Sequence, residues 1–308
     1  MGPSRLPRFT RAPRVTGIEL TPRDKRIIHL VHQHRFLRSS QIAALLPDRS
    51  QQLLRRLQLL YHHGFLERPR AQLDYFHCGG SRHIAYGLGN KDAALLQTES
   101  RLQSHTVRWG PKNRSVGRIF LEHALLVSEV MVNIELACRE KGTIKLLIDD
   151  QLPLPTTMTN QRRPFQWRVG VSAAAKLGVI PDRVFALEYH DRSGNRERAF
   201  FFLEADRGTM PVKRRSLAQT SFYRKLLAYE ATWSQSLHRT LFGFHRFRLL
   251  TVTTSPSRLQ SIISACAELK SGHGLFLFAD RAALAKPADT LSRIWRTVRP
   301  GETASLLD

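Results

Sequence analysis

The chain has 308 residues, with 48 Lys/Arg against 25 Asp/Glu, a net charge of +23 and a pI near 11.1. A 42% hydrophobic share supports real cores, and the length suits two domains of ordinary size. Three widely spaced cysteines, Cys78, Cys138 and Cys266, exclude a disulfide framework. No apolar run is long enough to span a bilayer and the first residues lack a signal-peptide core, so a cytoplasmic protein without a membrane partner is expected.

The basic residues divide into 38 arginines and 10 lysines, and residues 1–110 and 111–308 carry +11 and +12 respectively. Arginine presents a planar fork of donors that matches phosphate and guanine edges. A GC-rich coding bias explains arginine over lysine, but not the excess of bases over acids. A polyanion partner is therefore expected for both halves, with nucleic acid as the default.

Residues 1–19 read as a disordered basic arm, with Arg5, Arg8, Arg11 and Arg14 at a spacing of three among Pro3, Pro7 and Pro13. In a polyproline conformation all four arginines share one side, suited to phosphates or a minor groove. A solvated basic tail is the equal alternative.

Residues 20–98 predict a winged helix-turn-helix domain. Thr21-Pro22 starts a helix at 23–34 that buries Ile27, Ile28 and Val31. Ser39 or Ser40 caps a second helix, with Ile42, Ala43, Leu45 and Leu46 as its apolar face and Pro47 as its stop. A third, over 50–63, turns Leu53, Leu54, Leu57 and Leu60 inward and Gln51, Gln52, Arg55, Arg56 and Gln58 largely outward. Strands at 65–68 and 84–88 and a helix at 90–97 complete the domain. Glutamine reads adenine and arginine reads guanine, so Arg49, Gln51, Gln52, Arg55 and Arg56, with Arg82 in the wing, are the candidate duplex-DNA contacts. A winged helix that mediates only protein contacts is the alternative. His62, His63, His77, Cys78 and His83 match no standard zinc spacing.

Residues 99–117 read as a linker, and 118–285 as an α/β domain in the order α-β-β-β-α-β-α-β. Its first helix, 118–140, carries Glu122 and Glu129 along one flank. A strand at 143–148, a long basic loop at 149–178, and strands at 179–187 and 199–203 follow. A helix at 217–233, a strand at 247–253, a helix at 257–269 and a strand at 275–278 complete it. Residues 286–308 read as a peripheral tail with a short helix and a frayed end.

Asp182 opens the strand at 179–187, and Glu204 and Asp206 end the next one on a shared side. Antiparallel pairing brings the three carboxylates together, where they repel unless a cation such as Mg²⁺, Mn²⁺ or Ca²⁺ lies between them. A solvated acidic strand end paired with Arg183 and Arg207 is the plainer reading. Arg162, Arg163 and Trp167, interleaved with Phe165, form a candidate strand-holding surface beside this site.

Pro181-Asp182 followed by Glu204-x-Asp206 resembles the restriction-endonuclease-like, PD-(D/E)xK, fold. Over residues 20–280 the chain looks like the replication-relaxation family, which includes mobilisation proteins of the MobC type. The winged helix, Glu122-His123-Ala124-Leu125, Ile180-Pro181-Asp182, Glu204-Ala205-Asp206-Arg207-Gly208-Thr209 and Phe222-Tyr223-Arg224-Lys225-Leu226-Leu227-Ala228-Tyr229 carry the resemblance. It implies an N-terminal winged helix-turn-helix followed by a restriction-endonuclease-like mixed sheet flanked by helices. It also implies DNA binding in plasmid or mobile-element replication, relaxation or conjugative mobilisation. Asp182 and Glu204 match the family fold's metal-holding acids, but Asp206 occupies the usual lysine position. Lys225 is the lysine that could reach back from the following helix, Lys213 in a loop is a weaker candidate, and Glu129 or Glu122 could supply a further acid. A Mg²⁺- or Mn²⁺-dependent nickase, an inactive DNA-docking domain, and an adaptor recruiting a relaxase or replication initiator all stay open. A homodimer is possible, because winged helices often read palindromes as dimers.

Overall fold

The computed structural model describes residues 8–12, 17–46, 51–73, 83–91, 109–161, 163–173 and 175–308. The chain divides into two compact units, Met1–Glu129 and Val130–Asp308. Among the described residues no helix is long and apolar enough to cross a membrane.

In the N-terminal unit α1 (Pro22–His34) starts from a reciprocal cap. The Thr21 hydroxyl accepts from the Asp24 backbone N–H, and the Asp24 carboxylate accepts from Thr21 N at 2.8 Å. Next come β1 (Phe36–Arg38), α2 (Ser39–Leu45), α3 (Gln51–His62), β2 (Leu66–Glu67) and β3 (Ala85–Leu88). The strands form an antiparallel sheet in the order β1-β3-β2. Three residues are too few to show a period of two, so β1 escaped the pattern reading. Ser39 is the first helical residue of α2 and not its cap, which is Arg38.

Helix α3 buries Leu53, Leu57, Leu60 and Tyr61, whereas Leu54 is 58% exposed and not inward as its apolar character suggested. At 100° per residue it stands a quarter-turn round the helix from Leu53, on the flank of the Leu53/Leu57/Leu60 stripe and not in it. Gly89 closes the unit tightly: a Cβ there would lie 2.1 Å from the Gly64 carbonyl oxygen. Helices α4 (Trp109–Arg114) and α5 (Arg118–Lys141) follow, and the division between the units falls inside α5. Most of the proposed fourth helix at 90–97 and of the 99–117 linker lies outside the described residues.

Part of the arm is not free. Arg11 donates to the carbonyls of Tyr61 (2.9 Å) and Leu66 (3.2 Å) and to the buried Glu67 carboxylate (2.9 Å). Arg114 meets the same carboxylate at 3.0 Å. Two guanidiniums thus hold one buried acid, and the expected wholly disordered arm is corrected at residues 8–12.

The C-terminal unit is built on a seven-stranded mixed sheet in the order β12-β11-β10-β9-β8-β7-β4. Strands β4 (Lys145–Ile148), β7 (Arg183–His190) and β8 (Arg196–Asp206) form an antiparallel meander. Strands β8, β9 (Phe247–Thr253) and β10 (Phe276–Asp280) run parallel. Parallel neighbours need a crossover; here α7 (Phe222–Ser234) with α8 (Leu237–Phe242), then α9 (Pro256–Ala267), supply the two.

Between β4 and β7 the expected loop holds the short helix α6 (Thr156–Thr159) and an antiparallel pair, β5 (Trp167–Ser172) and β6 (Ala175–Val179). Val179 therefore belongs to β6, and the strand read as 179–187 breaks at residues 180–182. Alternate residues Trp167, Val169, Leu177 and Val179 join the core with Phe202, Leu226 and Tyr229. The tail is not frayed either: β11 (Trp295–Arg296) and β12 (Thr303–Ala304) extend the sheet, with Trp295 fully buried.

Candidate functional site

The β7–β8 register pairs Arg183 with Leu203, which sets Asp182 against the end of β8. Asp182 N donates to the Leu203 carbonyl at 3.0 Å, and its carboxylate accepts from Ala205 N at 2.8 Å. Glu204 and Asp206 follow Phe202 on the face of β8 covered by α7 and α9, as the period of two requires. Both carboxylates are almost fully buried.

Each has its own cation. Lys225 and Tyr229, one helical turn apart on α7, converge on Glu204: the ammonium donates to Oε2 and the phenol to Oε1 at 2.7 Å. Arg258 in the first turn of α9 holds Asp206 through both oxygens, at 2.7 and 2.9 Å. Thr253 and the Gly208 N–H add bonds to Asp206 at 3.1 Å each.

Burial raises the Glu204 carboxyl to about 7; Lys225 opposes the shift and Asp182 adds to it. Burial would lower Lys225, but Glu204 and Asp182 outweigh it, so the amine is raised and stays protonated at neutral pH. Tyr229 is pushed well up by burial and by Glu204.

The donor set fits a divalent cation poorly. Lys225 and Arg258 already supply positive charge, and both oxygens of Glu204 and of Asp206 accept from protein donors. Among the described residues no group of three His, Cys, Asp or Glu is placed to hold a metal. Separate helices reach the two acids of β8, so each carboxylate expected to share a cation has a protein cation beside it. Glu129 lies on α5 in the N-terminal unit.

A cleft of about 230 Å³ adjoins Asp182, lined by Arg163, Phe165, Gln166, Ile180 and Pro181 among others. Trp167 is not part of it and cannot stack on a base. Its indole N–H donates to Thr232 at 2.9 Å, and its ring packs against Phe202, Tyr229 and Phe242.

On α3, Gln52 and Arg55 are exposed. Arg56 instead makes a bidentate pair with the buried Asp24, at 2.7 and 2.5 Å, and caps the Glu19 carbonyl at 2.5 Å. Burial opposes ionisation of Asp24, but the bonds from Arg56 and Thr21 prevail and hold its carboxyl below the usual range. Arg49, Arg82, Arg162 and the Gln51 side chain lie outside the described residues.

Sequence reasoning missed Tyr229 and Arg258 as partners of the acids. Tyr229 had a signal, standing four residues after Lys225 on one helix face; Arg258 had none, because its contact spans 52 residues.

No curated protein and no solved structure matches the chain. The family model described as replication-relaxation matches residues 28–242. That span runs from α1 through both crossover helices after β8 and takes in Asp182, Glu204, Asp206, Lys225 and Tyr229. The chain therefore belongs to the replication-relaxation family, which assigns it a role in the replication or relaxation of plasmids or other mobile elements.

Proposed function

We propose that this protein binds duplex DNA of a plasmid or mobile element through a winged helix formed by its N-terminal unit. Its C-terminal unit is a nuclease-like domain that docks on the DNA without hydrolysing it. The exposed Gln52 and Arg55 on α3, backed by a leucine stripe in a chain of charge +23, carry the reading. The helix, strand, helix, helix, strand, strand order with its β1-β3-β2 sheet supports the winged helix. The mixed sheet with Pro181-Asp182 entering β7 and Glu204 near the end of β8 supports the nuclease-like domain. The internal cations on Glu204 and Asp206 support docking over hydrolysis.

The experiment pairs a binding assay with a supercoiled-plasmid assay. Duplex binding should fall steeply with salt, and Gln52→Ala with Arg55→Ala should erase the preference for target over random DNA. Unchanged selectivity in that double variant would remove α3 as the reader. No cleavage is expected with Mg²⁺ or Mn²⁺. One observation favours a metal-dependent nuclease instead, the meeting of Lys225 with Glu204 beside Asp182. Metal-dependent nicking lost in both Asp182→Ala and Glu204→Ala would assign that activity.

A further inference from the structure

We infer that the cleft beside Asp182 is a binding site for one unpaired nucleobase of a DNA strand. The inference rests on the DNA-binding reading and names a second site and substrate form, single-stranded rather than duplex.

Its walls have the chemistry of a base and not of a phosphate. Phe165 packs one side of its ring on the core, with its centroid 5.5 Å from that of Phe242, and its remaining surface lines the cleft. It is thus a fixed aromatic platform. The segment entering β7 adds Pro181 and Ile180 to the lining, and Ile180 leaves 58% of its surface to solvent. A flat apolar object seated in the cleft would cover that exposed side chain.

The polar groups are few and suited to a base edge. Asp182 lines it with a carboxylate, one oxygen of which already accepts from Ala205 N, and Gln166 with an amide that can both donate and accept, groups that suit exocyclic amines. Two acids, Asp182 and Asp149, line the cleft, and Arg183 is held by Asp149 at 2.8 Å. A phosphate inside would meet the Asp182 carboxylate. Arg163 is exposed and lies on the outer loop, where a backbone phosphate attached to the seated base can reach it.

Size argues for a small ligand. Sites for drug-sized molecules run from roughly 300 to 1,000 Å³, and this cleft holds about 230 Å³. One planar base with its sugar outside is smaller than such molecules. Duplex DNA does not offer such a base without unstacking it, so a single strand or a locally opened duplex is the occupant.

The test uses the full chain and a single-stranded oligonucleotide carrying one 2-aminopurine, with an unlabelled duplex titrated in parallel. Binding should quench the 2-aminopurine. Phe165→Leu, which keeps the apolar contact with Phe242, should abolish the quench and weaken single-strand binding about tenfold. Phe165→Tyr should retain both, and Arg163→Ala should lower the salt slope of single-strand binding by about 0.7. Duplex binding through α3 should stay at the wild-type level in all three. Wild-type single-strand affinity and quench in Phe165→Leu, with duplex binding intact, would overturn the cleft assignment alone. Absence of wild-type binding to either form would overturn the cleft and the DNA-binding reading together.

Discussion

Lys225→Met removes the ammonium from Glu204 while keeping most of the packed stem, so its effect isolates the charge. In the wild-type fold Glu204 is raised to about 7. A raised carboxyl binds more protons folded than unfolded. Its contribution to stability is complete below the ordinary carboxylate range and is lost as pH rises to about 7. Above that value the wild-type group is ionised in both states, and its contribution is level. Without Lys225 the folded value moves further up, and the loss continues beyond pH 7 at about 1.4 kcal/mol per pH unit. The penalty of the variant should therefore be nearly flat below pH 7 and larger by on the order of 1–2 kcal/mol at pH 8. Lys225 is one-third exposed, so screening makes that figure an upper bound. Urea unfolding at pH 6, 7 and 8, followed by the fluorescence of Trp167 against Tyr229, measures it. An identical penalty at all three pH values would refute the charge argument and leave Lys225 a packing residue.

Arg56→Ala should cost the N-terminal unit about 3 kcal/mol, because it strands the buried Asp24 carboxylate, whereas the exposed Arg55→Ala should stay within about 0.5 kcal/mol. Hydrogen exchange of the α1 amides separates the two, and equal protection would rule out Arg56 as a pin. Trp167→Phe removes the bond to Thr232 and should cost about 1–2 kcal/mol with DNA affinity unchanged; a selective loss of DNA binding would make it a reader after all. Millimolar Mn²⁺ should leave wild-type unfolding unmoved but stabilise Lys225→Met, by about 1.4 kcal/mol at ten times the dissociation constant. Stabilisation of the wild type, lost in Glu204→Ala, would show that a metal binds with Lys225 in place.

Much of the fold was legible because its elements are long enough to display a period. Helix α1 announced itself through Thr21-Pro22, and strand β9 through an apolar run at 247–253 whose bounds the structure reproduces. The failures have local causes. The β5–β6 pair carries its core residues on alternate positions interrupted by glycine and exposed charge, Gly170, Lys176 and Gly178, and so reads as a basic loop. Strands β11 and β12, at two residues each, carry no pattern at all. Trp167 and Leu54 show the complementary error: residue type suggested a role, and the face it occupies reversed it.

The acidic site divides the same way. Placing Asp182, Glu204 and Asp206 together needs only strand alternation and antiparallel pairing, both local rules. Their partners depend on how α7 and α9 pack across β8, which no local rule contains. Lys225 lay within reach of inference because it shares a face with Phe222, Leu226 and Tyr229, three residues that the core must bury. Arg258 did not, since it faces Asp206 only after the crossover through α7 and α8 has brought β8 and β9 into register. Two acids two residues apart on one buried strand face call for counter-charge when they ionise, and an intervening metal is one way to provide it. This chain provides it from the helices, one cation per acid. The aspartate two residues after Glu204 is thus the acid for which Arg258 is the built-in counter-charge, and Lys225 answers Glu204 from the turn of α7 that already carries the core.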